Sequence, residues 1–166
     1  MKIREVMTPE PKFIEIPSTR QAALVLFQKH RVTGLPVLKE GTRKLVGLIT
    51  LKDVARNPDE EQVAMIMSKD VPTVDPDDDF RKACEIMVKQ DIRHVPVVFE
   101  GMLVGIVTVK DVLSRAVMEM DLEIFVRDVF SEQVTAVWEE TPLRAAWVIM
   151  GASKSHTVPV LDAKGR

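Results

Sequence analysis

The sequence predicts an α+β fold assembled from small repeated units, and three observations carry that prediction. First, the chain matches itself at a shift of 60 residues, which places Met7 on Met67, Ala23 on Ala83, Lys29 on Lys89 and Pro36-Val37 on Pro96-Val97. After a turn the shift becomes 58, Gly47 onto Gly105, because Gly41-Thr42-Arg43-Lys44 is two residues longer than its counterpart, and hairpin turns absorb such insertions. Second, a further shift of 63 finds a third copy, with Met67 on Phe130, Val74 on Val137, Arg81 on Arg144 and Pro96-Val97 on Pro159-Val160. Third, each copy alternates a helical apolar period with short apolar runs of strand length. The expected units are 1–60, 61–120 and 121–166, the last incomplete.

Taken in order, the first helix of each unit is read from Ala23, Leu26, Phe27 and His30, echoed by Ala83, Ile86, Met87 and Gln90 and by Ala146, Ile149, Met150 and Ser153. Their i, i+3, i+4, i+7 spacing lines one face. Ser18-Thr19 and Asp77-Asp78-Asp79 supply N-caps and negative charge for the first turn. Gly34-Leu35-Pro36-Val37-Leu38 and His94-Val95-Pro96-Val97-Val98 read as strands, with proline expected near the strand start where its missing donor costs least. Glu100-Gly101 makes a tight hairpin turn. A second helix carries Val109, Val112, Leu113 and Ala116 on one face. Each unit therefore reads strand, helix, strand, strand, helix.

The 46% hydrophobic and 29% charged fractions allow a packed core and exclude a disordered chain. Acidic and basic residues intermingle, with 25 of one and 23 of the other and a net charge of −2, so no basic face is expected and nucleic acid is not favoured as a partner. The single cysteine, Cys84, excludes an intrachain disulfide and a Cys-rich zinc site, and a reducing cytoplasm is the expected compartment. No apolar run reaches membrane-spanning length, so no membrane role is expected. Asp75, Asp77, Asp78 and Asp79 read as caps at a helix start rather than as metal ligands, and no metal is expected. His30 belongs to a packed helix face. Most methionines fall on helix faces, although Met65, Met67, Met118 and Met120 lie near unit boundaries and suit a partner surface.

The chemistry-bearing stretch occurs twice, as Val46-Gly47-Leu48-Ile49-Thr50-Leu51-Lys52-Asp53 and as Val104-Gly105-Ile106-Val107-Thr108-Val109-Lys110-Asp111. Thr-x-x-Asp at a strand-to-helix junction is a helix-start signal. The same hydroxyl and carboxylate, set beside free N–H groups, suit a sugar phosphate. Capping alone accounts for either copy. No Walker or Rossmann glycine loop and no nucleophile–base pair accompanies them, so no enzyme is expected.

In Val6-Met7-Thr8-Pro9, Met67, the Leu35-Pro36-Val37 and Val95-Pro96-Val97 strands and both Gly-x-x-Thr-x-x-Asp stretches, the chain resembles the cystathionine β-synthase (CBS) domain family. The resemblance covers nearly all of it, as a tandem pair, or Bateman module, plus an incomplete third repeat. It implies a small mixed three-stranded sheet with two helices in each unit, and two units paired about a pseudo-two-fold axis. It also implies two clefts that take adenosine derivatives. In the second unit Asp111 would hold the ribose hydroxyls, Thr108 a phosphate, and Thr73 and Val74 the adenine. Arg93 and His94 would suit phosphate oxygens, and Val95, Pro96 and Lys110 complete that contact set. In the first unit Thr50 and Asp53 match, but Phe13 and Ile14 stand where Thr73 and Val74 would be. Gly34, Leu35 and Pro36 stand for His94, Val95 and Pro96. Of the residues before the second strand, the third repeat has His156-Thr157.

The expected function is a regulatory module that binds AMP, ADP or ATP between repeats and passes a change of packing to an unknown regulated protein or to its own assembly. No other cofactor is expected. A ligand-free interaction scaffold and a CBS-type transcription regulator are the alternatives. The third repeat stops before its hairpin partner and closing helix, leaving a face with Trp147, Ile149 and Met150. A homodimer or further CBS repeats are expected to cover it.

Overall fold

The computed structural model describes residues 1–117, 125–153, 155 and 157–166, with the side chains of residues 116 and 117 outside that description. Met118, Met120, His156 and the side chain of Ala116 therefore lie outside the described residues. The chain divides into two units, Met1–Asp121 and Leu122–Arg166.

The first unit is built on an exchange between its two repeats. Helix α1 (Ile3–Val6) starts where the Ile3 N–H donates to the Asp78 carbonyl at 2.9 Å, and α4 (Val63–Ile66) starts where the Val63 N–H donates to the Ser18 carbonyl at 3.0 Å. Each leading helix thus packs into the other repeat. Ile3 and Val6 are fully buried among Val74, Phe80, Val95 and Val107, while Val63 and Ile66 are buried among Ile14, Phe27, Leu35 and Ile49. Burying side chains of this size contributes about 1.5–3 kcal/mol each, so each core depends on a segment the other repeat supplies. The sequence repeats end near residue 60, but the packing crosses that boundary in both directions.

Helices α2 (Arg20–His30) and α5 (Phe80–Gln90) form as their apolar period predicts, burying Ala23 and Phe27 in one case and Ala83 and Met87 in the other. Thr19 caps α2 by accepting from the Ala22 N–H, and Asp79 caps α5 by accepting from the Arg81 N–H. Both helices stop at a left-handed residue, Arg31 at φ 52° and Asp91 at φ 51°.

Strands β2 (Ile14–Ile16), β3 (Gly34–Lys39) and β4 (Leu45–Thr50) make a mixed sheet in that order, β2 parallel to β3 and β3 antiparallel to β4. In the second sheet β1 (Thr8–Pro9), supplied by the first repeat, β6 (Met102–Thr108) and β5 (His94–Phe99) are ordered β1-β6-β5, both pairings antiparallel. Val74 takes the place of β2 as a parallel bridge to Val97, and Ser68 takes the place of β1 as an antiparallel bridge to Leu48. Glu100 at φ 49° and Gly101 at φ 79° turn the expected hairpin. The prolines differ from expectation. Pro36 sits third in the central strand of its sheet, tolerated because β2 begins pairing only at Val37.

Beyond β4 lies α3 (Leu51–Arg56); beyond β6, α6 (Val109–Asp111) runs into a π-helical segment, Val112–Val117. The glycine of each repeated stretch has a packing reason. A Cβ on Gly105 would stand 2.5 Å from Met7 Sδ, and one on Gly47 would stand 2.7 Å from the Ser68 carbonyl oxygen and 2.8 Å from Met67 Sδ. These are the points where the exchanged segments cross the partner sheet.

The second unit holds α7 (Val126–Val129), β7 (Val137–Trp138), α8 (Leu143–Ala152) and β8 (Val160–Leu161), with β7 parallel to β8. That pairing repeats Val74 with Val97, the third-repeat counterparts being Val137 and Val160. Trp147 is exposed, as the sequence suggested, whereas Ile149 and Met150 are half-buried. Among the described residues no helix is long and apolar enough to cross a membrane, and no group of three His, Cys, Asp or Glu could hold a metal ion.

Candidate functional site

Both Thr-x-x-Asp pairs close on themselves. Thr108 donates through Oγ1 and N to Asp111 Oδ2 at 2.5 and 2.9 Å, and the Asp111 N–H donates back to Thr108 Oγ1 at 3.3 Å. Thr50 and Asp53 repeat the arrangement at 2.6, 2.8 and 3.3 Å. Capping explains this much in each copy. Asp111 differs in two ways: it is only 9% exposed, and its second oxygen accepts from Thr8 Oγ1 at 3.0 Å. Thr8 is there because β1 runs antiparallel to β6 with Thr8 opposite Ile106. A carboxylate offers about four lone-pair positions, so a sugar diol has acceptor capacity left to use.

Around Asp111 opens a cleft of about 610 Å³. The first repeat contributes Thr8 and the 10–12 segment, and then the end of α2 with residues 31–34. The second contributes Arg93 and His94, the stretch from Thr108 to Asp111, and Ser114 with Arg115. Gly34, Arg93, His94, Thr108, Lys110 and Asp111, all singled out from the sequence, are brought together here.

The remaining sequence candidates lie elsewhere. Thr73 and Val74 are not beside Asp111: Val74, 2% exposed, sits in the second core on the far side of β5, with β6 and β5 between it and β1. This corrects the pairing drawn from the sequence. The segment beside Asp111 is 8–12, delivered from the other repeat. Val95, Leu35, Pro36 and Ile14 are buried, and Pro96 lies in β5 opposite Ile106, also buried. Phe13 is half-buried under the Arg43 guanidinium, 5.5 Å from its ring centroid. Arg43 also donates to the Leu103 carbonyl at 3.1 Å, so the two extra turn residues reach across to the second repeat. Thr50 and Asp53 hold the position related to Thr108 and Asp111 by the pseudo-two-fold, outside this cleft.

His94 spans the two repeats. Its Nε2 lies 3.1 Å from Thr33 Oγ1, and a Cβ on Gly34 would fall 2.9 Å from three of its ring atoms. Only glycine admits the ring there. Burial holds the imidazole below its ordinary pKa, the neighbouring Arg93 adds to that effect, and Asp111 opposes it. Cys84 offers no nucleophile, because burial pushes its thiol up. Sequence reasoning missed Thr8, Lys12, Arg31 and Arg115. The signal that would have found them is the exchange itself, hinted at by Met7 and Met67 preceding a small hydroxyl residue in each repeat.

Comparisons with known proteins agree with this architecture. The CBS domain profile matches residues 3–60, 63–117 and 126–166. Inosine-5'-monophosphate dehydrogenase of Korarchaeum cryptofilum is 40% identical over 116 residues, 68% of this chain but 23% of that enzyme. An uncharacterized conserved protein from Pyrococcus horikoshii superposes with a TM-score of 0.70 at 31% identity, covering 99% of this chain and 65% of that one. The CBS domain pair of protein MJ0100, in complex with 5'-methylthioadenosine and S-adenosyl-L-methionine, superposes at 0.63 with 28% identity over 68% of this chain and 97% of that one. The chain spans less than a quarter of the curated enzymes it matches first. Three repeats, the reciprocal exchange of leading helices and the matched family profile together place this chain in the CBS domain family.

Proposed function

We propose that the tandem repeats of the first unit form a cytoplasmic regulatory module that binds a phosphorylated adenosine, AMP, ADP or ATP, at Asp111. The observation that carries this is the cleft itself: a buried carboxylate suited to a ribose diol, with Lys12, Arg31, Arg93, Lys110 and Arg115 around it. Arg and Lys are the usual partners of phosphate oxygens. The adenosine derivatives bound by the MJ0100 pair support the nucleoside half of the reading. The basic lining separates this cleft from one for S-adenosylmethionine, whose sulfonium would meet like charge. Because both repeats line the cleft, an occupant bears on how they pack, and the readout is a regulated protein or the module's own assembly. No step of catalysis is assigned.

Titration calorimetry tests this. Asp111→Ala is expected to weaken nucleotide binding about ten- to a hundred-fold, the equivalent of losing a charged hydrogen bond of about 1.5–3 kcal/mol. Asp53→Ala removes the same kind of cap and is expected to leave binding nearly intact. S-adenosylmethionine binding more tightly than every adenine nucleotide would overturn the reading. The self-closed caps favour a second reading, a ligand-free scaffold, and equal small losses in both variants would establish it.

A further inference from the structure

The pseudo-two-fold that relates the repeats also relates two positions for a ligand, one at Asp111 and one at Asp53. Their equivalence in the backbone is close: the Val109 N–H donates to the Arg93 carbonyl at 3.2 Å as the Leu51 N–H donates to the Thr33 carbonyl at 3.1 Å. Thr8 crosses β6 as Ser68 crosses β4. Their charges are not equivalent. Around Asp111 stand Lys12, Arg31, Arg93, Lys110 and Arg115 against Glu10 and Asp111 itself. The same shifts of 60 and 58 residues put Pro72, Asp91, Thr33, Lys52 and Asn57 in those basic places, Asp70 for Glu10, Arg56 for Ser114 and Arg93 for Thr33. Five basic and two acidic side chains on one side thus stand against three basic and three acidic on the other. Lys69 is not among the latter, because its counterpart Pro9 lies outside the lining.

Resting on the adenine nucleotide reading above, we infer that this module is one-sided: a polyphosphorylated ligand occupies the Asp111 cleft alone, and the charge around Asp53 excludes it. Arg31 against Asp91 is the main discriminator. Both are left-handed C-cap residues, at φ 52° and 51°, so they leave the backbone from the same conformation with opposite charge. A triphosphate gains from the first and is repelled by the second, and such long-range effects survive at separations up to a Debye length of about 10 Å at 0.1 M salt.

Titration of the full chain with ATP at low ionic strength, with thermal melts of each variant, decides the matter. The expected result is one ATP per chain, lost in Asp111→Ala and kept in Asp53→Ala. Arg31→Asp is expected to weaken binding at least about tenfold with an unchanged melt, because aspartate already occupies this conformation at position 91. The exchange variant carrying Arg31→Asp and Asp91→Arg is expected to recover binding that now depends on Asp53 rather than Asp111. Two ATP per chain of similar affinity, one lost in each aspartate variant, or an Arg31→Asp protein with wild-type affinity, overturns the one-sidedness while leaving nucleotide binding in place. A wild-type chain that takes up no adenine nucleotide overturns both.

Discussion

In Met1–Asp121 the leading helices α1 and α4 carry Ile3, Val6, Val63 and Ile66 into the opposite repeat's core, where none is more than 7% exposed. In Leu122–Arg166 the matching helix α7 carries Val126 and Val129 at 79% and 67% exposed, and α8 has no buried residue. The third repeat has the sequence pattern of the other two over its length and forms α7, β7, α8 and β8, α8 without a side-chain cap, so local propensity suffices for these elements. It does not suffice for a core. In the first unit burial comes from the exchange, whereas in the second neither α7 nor α8 has a buried residue.

The sharpest way to break that contrast is to truncate the same position in both units. Ile3→Ala is expected to destabilise the first unit by about 2–5 kcal/mol, the usual cost of emptying a filled core site. Val126→Ala, on the exposed counterpart, is expected to stay within about 0.5 kcal/mol. Urea unfolding followed separately for the two units reads this directly; equal losses would mean that α7 is packed as α1 is.

Glycine substitutions give the next largest difference, and here the sign itself should change. Gly105→Ala forces a Cβ against Met7 Sδ and the Thr8 carbonyl and is expected to cost about 1–3 kcal/mol by overpacking. Gly151→Ala lies in α8 with nothing within 4 Å of the added carbon and is expected to stabilise its helix by about 0.5–1 kcal/mol. Thermal melts of the two variants check the pair.

What could be read from the sequence follows the same division. The first helix of each repeat, the caps at Thr19 and Asp79 and the Thr-x-x-Asp boxes are set by neighbours within a few residues, and they appear where periodicity and cap chemistry put them. The second helix of the second repeat departs from its expected face: it is α-helical only over Val109–Asp111 before the π-helical segment, and Val109 and Leu113 are exposed. The composition of the Asp111 cleft was half legible. His94, Thr108, Lys110 and Asp111 come from one continuous repeat, whereas Thr8 and Lys12 arrive through the exchange and Arg31 through the end of α2. Assigning Thr73 and Val74 to Asp111 assumed that each repeat completes its own site. Nothing local to residues 61–120 says otherwise, because β1 reaches β6 from about a hundred residues away in sequence, Thr8 to Ile106. Arg43 teaches the same point: the longer turn read as a neutral insertion, yet its guanidinium binds the Leu103 carbonyl of the other repeat.

The smallest expected effect is a pH dependence of the first unit. Burial and Arg93 hold His94 below the ordinary histidine value, so as pH falls through that value the unfolded chain takes up a proton that the native imidazole refuses. The unfolded state then binds more protons, and stability falls with falling pH. The window is about pH 7 to 5, set by the ordinary histidine pKa of about 6.5 and a native value beneath it. Carboxylates held low by hydrogen bonds, Asp78 in the first unit and Asp162 in the second, lose their contribution only as pH drops below the ordinary carboxylate range, so they do not overlap this window. The first unit's melting temperature is therefore expected to decline between pH 7 and 5, and His94→Asn should flatten that decline. A flat profile in the wild-type chain would mean that the ring over Gly34 pays no penalty for charging. Saturating ATP should reverse the slope: a phosphate beside His94 favours the imidazolium and raises its pKa above the unfolded value. Stability of the liganded unit is then fully present below that unfolded value and fades as pH rises through the liganded pKa.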